Sequence, residues 1–297
     1  MLRRTLITLV VISLITASGA IGLPQEPRYT LSLVASGLDR PVGLTVEGSE
    51  TIYFTVVPTP GVGGGANGVA ELDLETGDIR MLHMGEPEPT NIVVDREGDL
   101  YWTCKSAGVI LKQTEEGATS LFLGGLDKPS GIAVDKHGRV YFTEIPSPGI
   151  PGAGNRVSVT NGTTKIVLHQ GEPEPTDIVV ARDGHLYWTC KSAGVILQQV
   201  AGVTSVLLDG LNTPTGLALD HKGETLYFTE VPTPGVPGRS GGLNRVKELD
   251  LRSMRVRVIN AGDPEPTDVA VARNGNVYWT CTSAGVIVEA RRHGRRG

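Results

Sequence analysis

The segment EPEPTNIVVDREGDLYWTCKSAGVIL, Glu86 to Leu111, occurs three times. It returns as EPEPTDIVVARDGHLYWTCKSAGVIL from Glu172 to Leu197 and as DPEPTDVAVARNGNVYWTCTSAGVIV from Asp263 to Val288. Cys104, Cys190 and Cys281 mark the period, with spacings of 86 and 91 residues. Between these copies lies a second unit. It reads PVGLTVEGSETIYFTVVPTPGV from Pro41, PSGIAVDKHGRVYFTEIPSPGI from Pro129 and PTGLALDHKGETLYFTEVPTPGV from Pro214. Both types run proline, short apolar strand, acidic or glycine turn, aromatic strand. The structural unit is therefore half the long spacing, about 43 residues, and six units alternate in type.

Each unit reads as four strands. In the second unit Asn91–Asp95 is apolar, and Arg96-Glu97-Gly98 is a turn signal. Leu100–Cys104 is rich in aromatic and β-branched residues, and Lys105-Ser106-Ala107-Gly108 turns the chain again. Val109–Gln113 and Ser120–Leu123 complete an antiparallel sheet around Glu116-Gly117. Four strands in a unit of this length make a propeller blade. The last unit stops after its third strand, and Tyr29–Leu38, YTLSLVASGL, is similar to the fourth strand GATSLFLGGL of Gly117–Leu126. The N-terminus is expected to supply the outer strand of the last blade, closing the ring and removing an open edge. The expected architecture is an all-β, six-bladed β-propeller of four-stranded antiparallel blades, a single domain over 28–290.

Composition agrees. Gly 39 and Pro 19 in 297 residues have no Gly-X-Y period, so they serve as blade punctuation rather than collagen. Aromatics at 5% suffice because each blade repeats the same one or two. A net charge of −5 argues against a nucleic-acid surface. Arg3-Arg4, an apolar run from Leu6 to Ile15 and Thr16-Ala17-Ser18-Gly19-Ala20 describe a signal peptide over 1–22. The expected protein is thus extracytoplasmic, monomeric and without a membrane span after cleavage. Residues 291–297 read as a basic, solvated tail.

PSGIAVDKHGRVYFTE resembles the NHL repeat, and LYWTC followed by GVIL resembles the YWTD repeat of lipoprotein-receptor-type propellers. The resemblance covers all of the chain after the expected signal peptide and implies a β-propeller, six-bladed in the YWTD case. Cys104, Cys190 and Cys281 stand where that motif has its aspartate. Gluconolactonase-like and virginiamycin-lyase-like propellers are more distant in pattern.

In a propeller, loops joining consecutive blades share one face with the loops between second and third strands. That face should gather EPEPT and the loops PTPGVGGGANG, PSPGIPGAGN and PTPGVPGRSGGLN. Glu88, Glu174 and Glu265 are its candidate ligand-binding carboxylates. Asn91, Asp177 and Asp268 should open the inner strands beside the channel. They are candidate ligand contacts and, in the alternative, oxygen ligands for calcium or another divalent cation. A turn-capping role is the plainer reading of these three. Glu144 and Glu230 are expected to pair with Arg156 and Arg245 across a hairpin, since the first unit lacks both charges together. His137, His185 and His221 fall in first-hairpin turns as solvated residues. The cysteines lie on alternate blades, too far apart to bond with one another. No catalytic motif is present. The sequence therefore favours a binding scaffold for a small molecule or protein on the EPEPT face, with a metal-dependent hydrolase or lyase as alternative.

Overall fold

The structure is a computed structural model that describes residues 28–58, 65–146, 154–232 and 243–293. Residues 1–27, where the signal peptide is expected, most of each Pro/Gly loop and residues 294–297 lie outside these. The described residues form six four-stranded antiparallel sheets and no helix. Five blades use consecutive strands, β2–β5 (41–84), β6–β9 (89–123), β10–β13 (129–170), β14–β17 (175–208) and β18–β21 (214–261). The sixth is β22 (Pro266–Val271), β23 (Val277–Cys281), β24 (Val286–Arg292) and, outermost, β1 (Tyr29–Ala35). The N-terminal strand therefore closes the ring as expected, pairing Tyr29 with Arg292 and Leu33 with Val288. Arg291 and Arg292 continue β24, so the blade runs past residue 290 and the tail begins later than its charge suggested.

Why the blades hold together is visible in one repeated threonine. Each inner strand starts at a proline, which has no N–H to offer the ladder. Its register then slips before the next apolar residue. The slip frees an inner-strand N–H, and a buried threonine on the second strand accepts it. Thr55, Thr103, Thr143, Thr189, Thr229 and Thr280 do this for Gly43, Asn91, Gly131, Asp177, Gly216 and Asp268, at 2.8 to 3.2 Å. Several donate onward to the next blade, as Thr103 does to the Ser130 carbonyl and Thr280 to that of Val42 (both 2.7 Å).

The core is a set of wedges between neighbouring blades. Val69 of the first blade packs with Ile92, Leu100 and Trp102 of the second, and Tyr278 of the sixth with Leu44 and Phe54 of the first. Trp102, Trp188 and Trp279 are completely buried. Burying such a ring removes roughly 150–250 Å² from water, which makes these aromatics the main apolar anchors of their blades.

Candidate functional site

Asn91, Asp177 and Asp268 are each third in an inner strand, β6 (Pro89–Val94), β14 (Pro175–Val180) and β22. They meet on the wall of a channel cavity of about 200 Å³. Asn91 Nδ2 donates to Asp177 Oδ1 at 2.8 Å. Asp177 also accepts from the N–H groups of Ile178 and Leu217, and Asp268 from those of Val269 and Leu44, at 2.7 to 2.9 Å. Burial pushes the Asp268 carboxyl up to about 7, with its own hydrogen bonds opposing the shift. Burial raises Asp177 too, and the facing Asp268 charge adds to it. Burial thus favours the neutral form of both carboxyls, so the pair retains a proton near neutral pH.

Glycine on the intervening blades makes this convergence possible. A Cβ on Gly131 would lie 2.5 Å from the Asp177 Cα, and one on Gly216 equally close to the Asp268 Cα. Gly43 meets Asn91 in the same way, at 2.7 Å. Odd blades thus supply glycine where even blades supply the polar residue.

A hard cation needs free oxygen lone pairs. Here the Asn91 oxygen is taken by the Ile92 N–H (2.7 Å), its amide nitrogen faces Asp177, and every carboxylate oxygen already accepts a backbone N–H. Among the described residues no group of three His, Cys, Asp or Glu side chains is placed to hold a metal. The donor set suits a self-satisfied polar plug better than a cation cage.

The two acids of each EPEPT loop have separate roles. The first is an anchor. Trp279 Nε1 donates to Asp263 at 2.7 Å and Trp102 Nε1 to Glu86 at 3.4 Å. The thiols of Cys104 and Cys190 point at Glu86 and Glu172 (3.7 and 3.9 Å). Burial, reinforced by these carboxylates, pushes all three thiols up to about 12, which makes them inert packing groups rather than nucleophiles. His83 and His169, which the sequence did not single out, lie over Trp102 and Trp188 with ring centroids 5.0 Å apart.

The second acid lies on the rim. Glu88, Glu174 and Glu265 adopt left-handed φ of 54 to 55°, and the residues before the other three inner strands do likewise: Arg40 and Lys128 at 50°, Thr213 at 48°. This is strained for a residue before proline. In all six blades its carbonyl accepts an N–H from beyond the second strand, at 2.9 to 3.3 Å. Round the ring the side chains run Arg40, Glu88, Lys128, Glu174, Thr213, Glu265, so charge alternates over five of the six blades. Lys105 stands 3.5 Å from Glu88 and Lys191 4.0 Å from Glu174, whereas Thr282 occupies that place beside Glu265. Asn155 and Asn244 tie the ends of two Pro/Gly loops to the same face, through the carbonyls of Glu172 and Asp263 (2.6 and 2.7 Å).

Glu144 and Glu230 lie opposite Arg156 and Arg245 in register. Their nearer cations are lysines, Lys165 at 3.2 Å and Lys247 at 2.6 Å, with Arg245 at 4.0 Å. Each also accepts the N–H of an inter-blade loop, from Asp127 (3.0 Å) or Asn212 (3.1 Å), so they brace the rim. His137 and His221 are exposed turn residues, and His185 lies 3.4 Å from Asp183 in its own turn.

No family model and no curated protein matches the chain. Solved structures do. Streptogramin B lyase is 17% identical, with 91% of this chain and 100% of that one aligned and a TM-score of 0.64. A nidogen/laminin complex gives 18% identity over 75% of this chain and 80% of that one, with a TM-score of 0.59. A gluconolactonase from Xanthomonas campestris gives 15%, 89%, 80% and 0.52. Identities this low establish the shared propeller fold and nothing about activity.

Proposed function

We propose that the chain is a binding propeller that takes a peptide-like partner on the face of the inter-blade loops. The observation that carries this reading is the rim of left-handed residues, with charges of both signs held on a rigid scaffold. A ring of alternating charge suits a ligand that itself carries both signs, such as a peptide or protein segment, better than a simple cation or anion. The thiols and channel carboxyls nearby are engaged by their own neighbours, which favours recognition over chemistry. The basic and apolar N-terminal segment supports binding outside the cytoplasm, a reading that N-terminal sequencing of the protein from culture fluid tests.

The experiment is selection of a displayed random-peptide library on the whole protein. Peptides are then compared on the parent and on E88Q/E174Q/E265Q. The reading expects enriched peptides whose affinity falls at least about tenfold in the variant. Enriched peptides indifferent to the rim, or no enrichment, refute it.

The alternative, a cation-dependent hydrolase or lyase, is supported by the fold shared with streptogramin B lyase and gluconolactonase. It expects calcium or manganese to raise the melting temperature of the parent but not of D177N/D268N. Equal melting with and without either ion sets it aside.

A further inference from the structure

The opposite end of the channel carries a second feature, formed by the hairpins between first and second strands. A cavity of about 640 Å³ opens there. Arg96, Lys136, Arg182 and Arg273 line it, each at the same turn position of its blade, and all four are exposed. Below them Val46, Val94, Val134 and Val180 form an apolar collar. A volume in this range is typical of small-molecule sites.

Three carboxylates, Glu47, Asp95 and Asp135, share the lining but are turned to their own hairpins. Asp95 accepts the N–H groups of Glu97 (3.0 Å) and Asp99 (2.9 Å) and the Tyr101 hydroxyl (3.2 Å). Asp135 accepts from His137 and Arg139 backbone and holds the Arg139 guanidinium at 2.7 Å. Glu47 accepts the Tyr53 hydroxyl at 3.0 Å. No ion pair joins any of the four lining cations to an acid among the described residues.

The repeats supply a control. In the fourth and sixth blades the acid that precedes the cation is replaced by Ala181 and Ala272, yet Arg182 and Arg273 remain. A cation present only to balance the turn acid has no reason to outlast it. Removing those two acids also leaves four cations against three pinned carboxylates, in a chain whose net charge is −5.

We propose that this mouth binds a small amphiphilic anion, a phosphate or carboxylate on a compact apolar body, with the charge on Arg96, Lys136, Arg182 and Arg273 and the body against the valine collar. The site is independent of the opposite face. Phenyl phosphate is the probe, inorganic phosphate the charge-only arm and benzyl alcohol the apolar-only arm, all measured by calorimetry on the whole protein at low salt. Phenyl phosphate should bind more tightly than either arm and weaken at least about tenfold in R182Q/R273Q. A181D/A272D, which restores the acid of the sister blades and removes no cation, should weaken it too. E88Q/E174Q/E265Q should leave it unchanged, so failure here and failure of the peptide reading are separate results. No binding at about 10 mM, equal binding by either single-feature arm, or equal affinity in R182Q/R273Q overturns the proposal.

Discussion

Replacing Asp268 by asparagine removes one of the two carboxyls at the channel axis. Asparagine is tolerated by this geometry, because Asn91 occupies the equivalent place on the second blade. The carboxyl stands at about 7 in the folded protein against an ordinary 3.8. Between those values the folded state binds a proton that the unfolded state has lost. Stability from this source is therefore complete below pH 3.8, and it declines as pH rises through 7. Each unit of pH costs about 1.4 kcal/mol while the excess proton is held. The parent should thus lose about 2–3 kcal/mol relative to D268N between pH 5 and pH 7. A pH-independent offset of about 1–3 kcal/mol is superimposed, because Leu44 N–H loses an acceptor in the variant. Denaturant unfolding followed by tryptophan fluorescence reads this directly, since Trp102, Trp188 and Trp279 are fully buried in alternate blades. Titrating groups away from the axis cancel in the difference, while Asp177, relieved of the facing Asp268 charge in the variant, changes it in the same direction. A difference constant to within about 0.5 kcal/mol over that range would refute the retained proton.

Three further outcomes follow from the same contacts. Glu248 takes the Tyr29 hydroxyl and the Arg28 guanidinium at 2.6 Å and Arg257 at 3.1 Å, so E248Q should loosen β1 and cost about 2 kcal/mol in a urea titration; no change would mean the latch is idle. G131A and G216A should each cost about 3 kcal/mol through the 2.5 Å approach to backbone, whereas G138A, with open space and a φ of 73°, should cost about 1 kcal/mol; equal costs would deny the close approach. The three thiols should resist maleimide at pH 8, with about a thousandfold less thiolate than a free cysteine, and all three should react in urea, as intact mass will show; labelling of the native protein contradicts their burial.

The ring was legible because its information is periodic. Strand type, turn position and the exchanged outer strand all follow from aligning the chain with itself, and Leu100–Cys104 and Val109–Gln113 fall where the sequence put them. The inner strands begin two residues earlier, at Pro89 rather than Asn91, because a proline can occupy a strand's first position. The site was less legible. Glu86 and Glu88 look equivalent in EPEPT, and only the ring shows that Trp102 faces the first. His83 and His169 sit on outer strands, and their contacts belong to the next blade. The rim's signal is the residue before every inner-strand proline, and it emerges only when all six units are aligned rather than three. The turn cations had the same signal.

Repetition and difference do separate work in this ring. Positions alike in all six blades, the threonines above all, join blade to blade and say nothing about a ligand. Positions that alternate impose three-fold order on a six-fold frame: glycine against polar residue at the axis, cation against acid along most of the rim. Positions that break the alternation are the ones a building block cannot explain. Three aspartates at the axis would place three like charges against one another in a buried channel, a cost met by protonation or by substitution. Asn91 is that substitution, and it donates where a carboxylate could only repel. Thr213 ends the rim's alternation, and its hydroxyl turns inward to the Val231 carbonyl. Ala181 and Ala272 remove acids from the far mouth while the arginines stay. Each break makes one sector of a symmetric ring unlike the others. A ligand without symmetry can be oriented only by such sectors, so these residues are where specificity on either face has to be encoded.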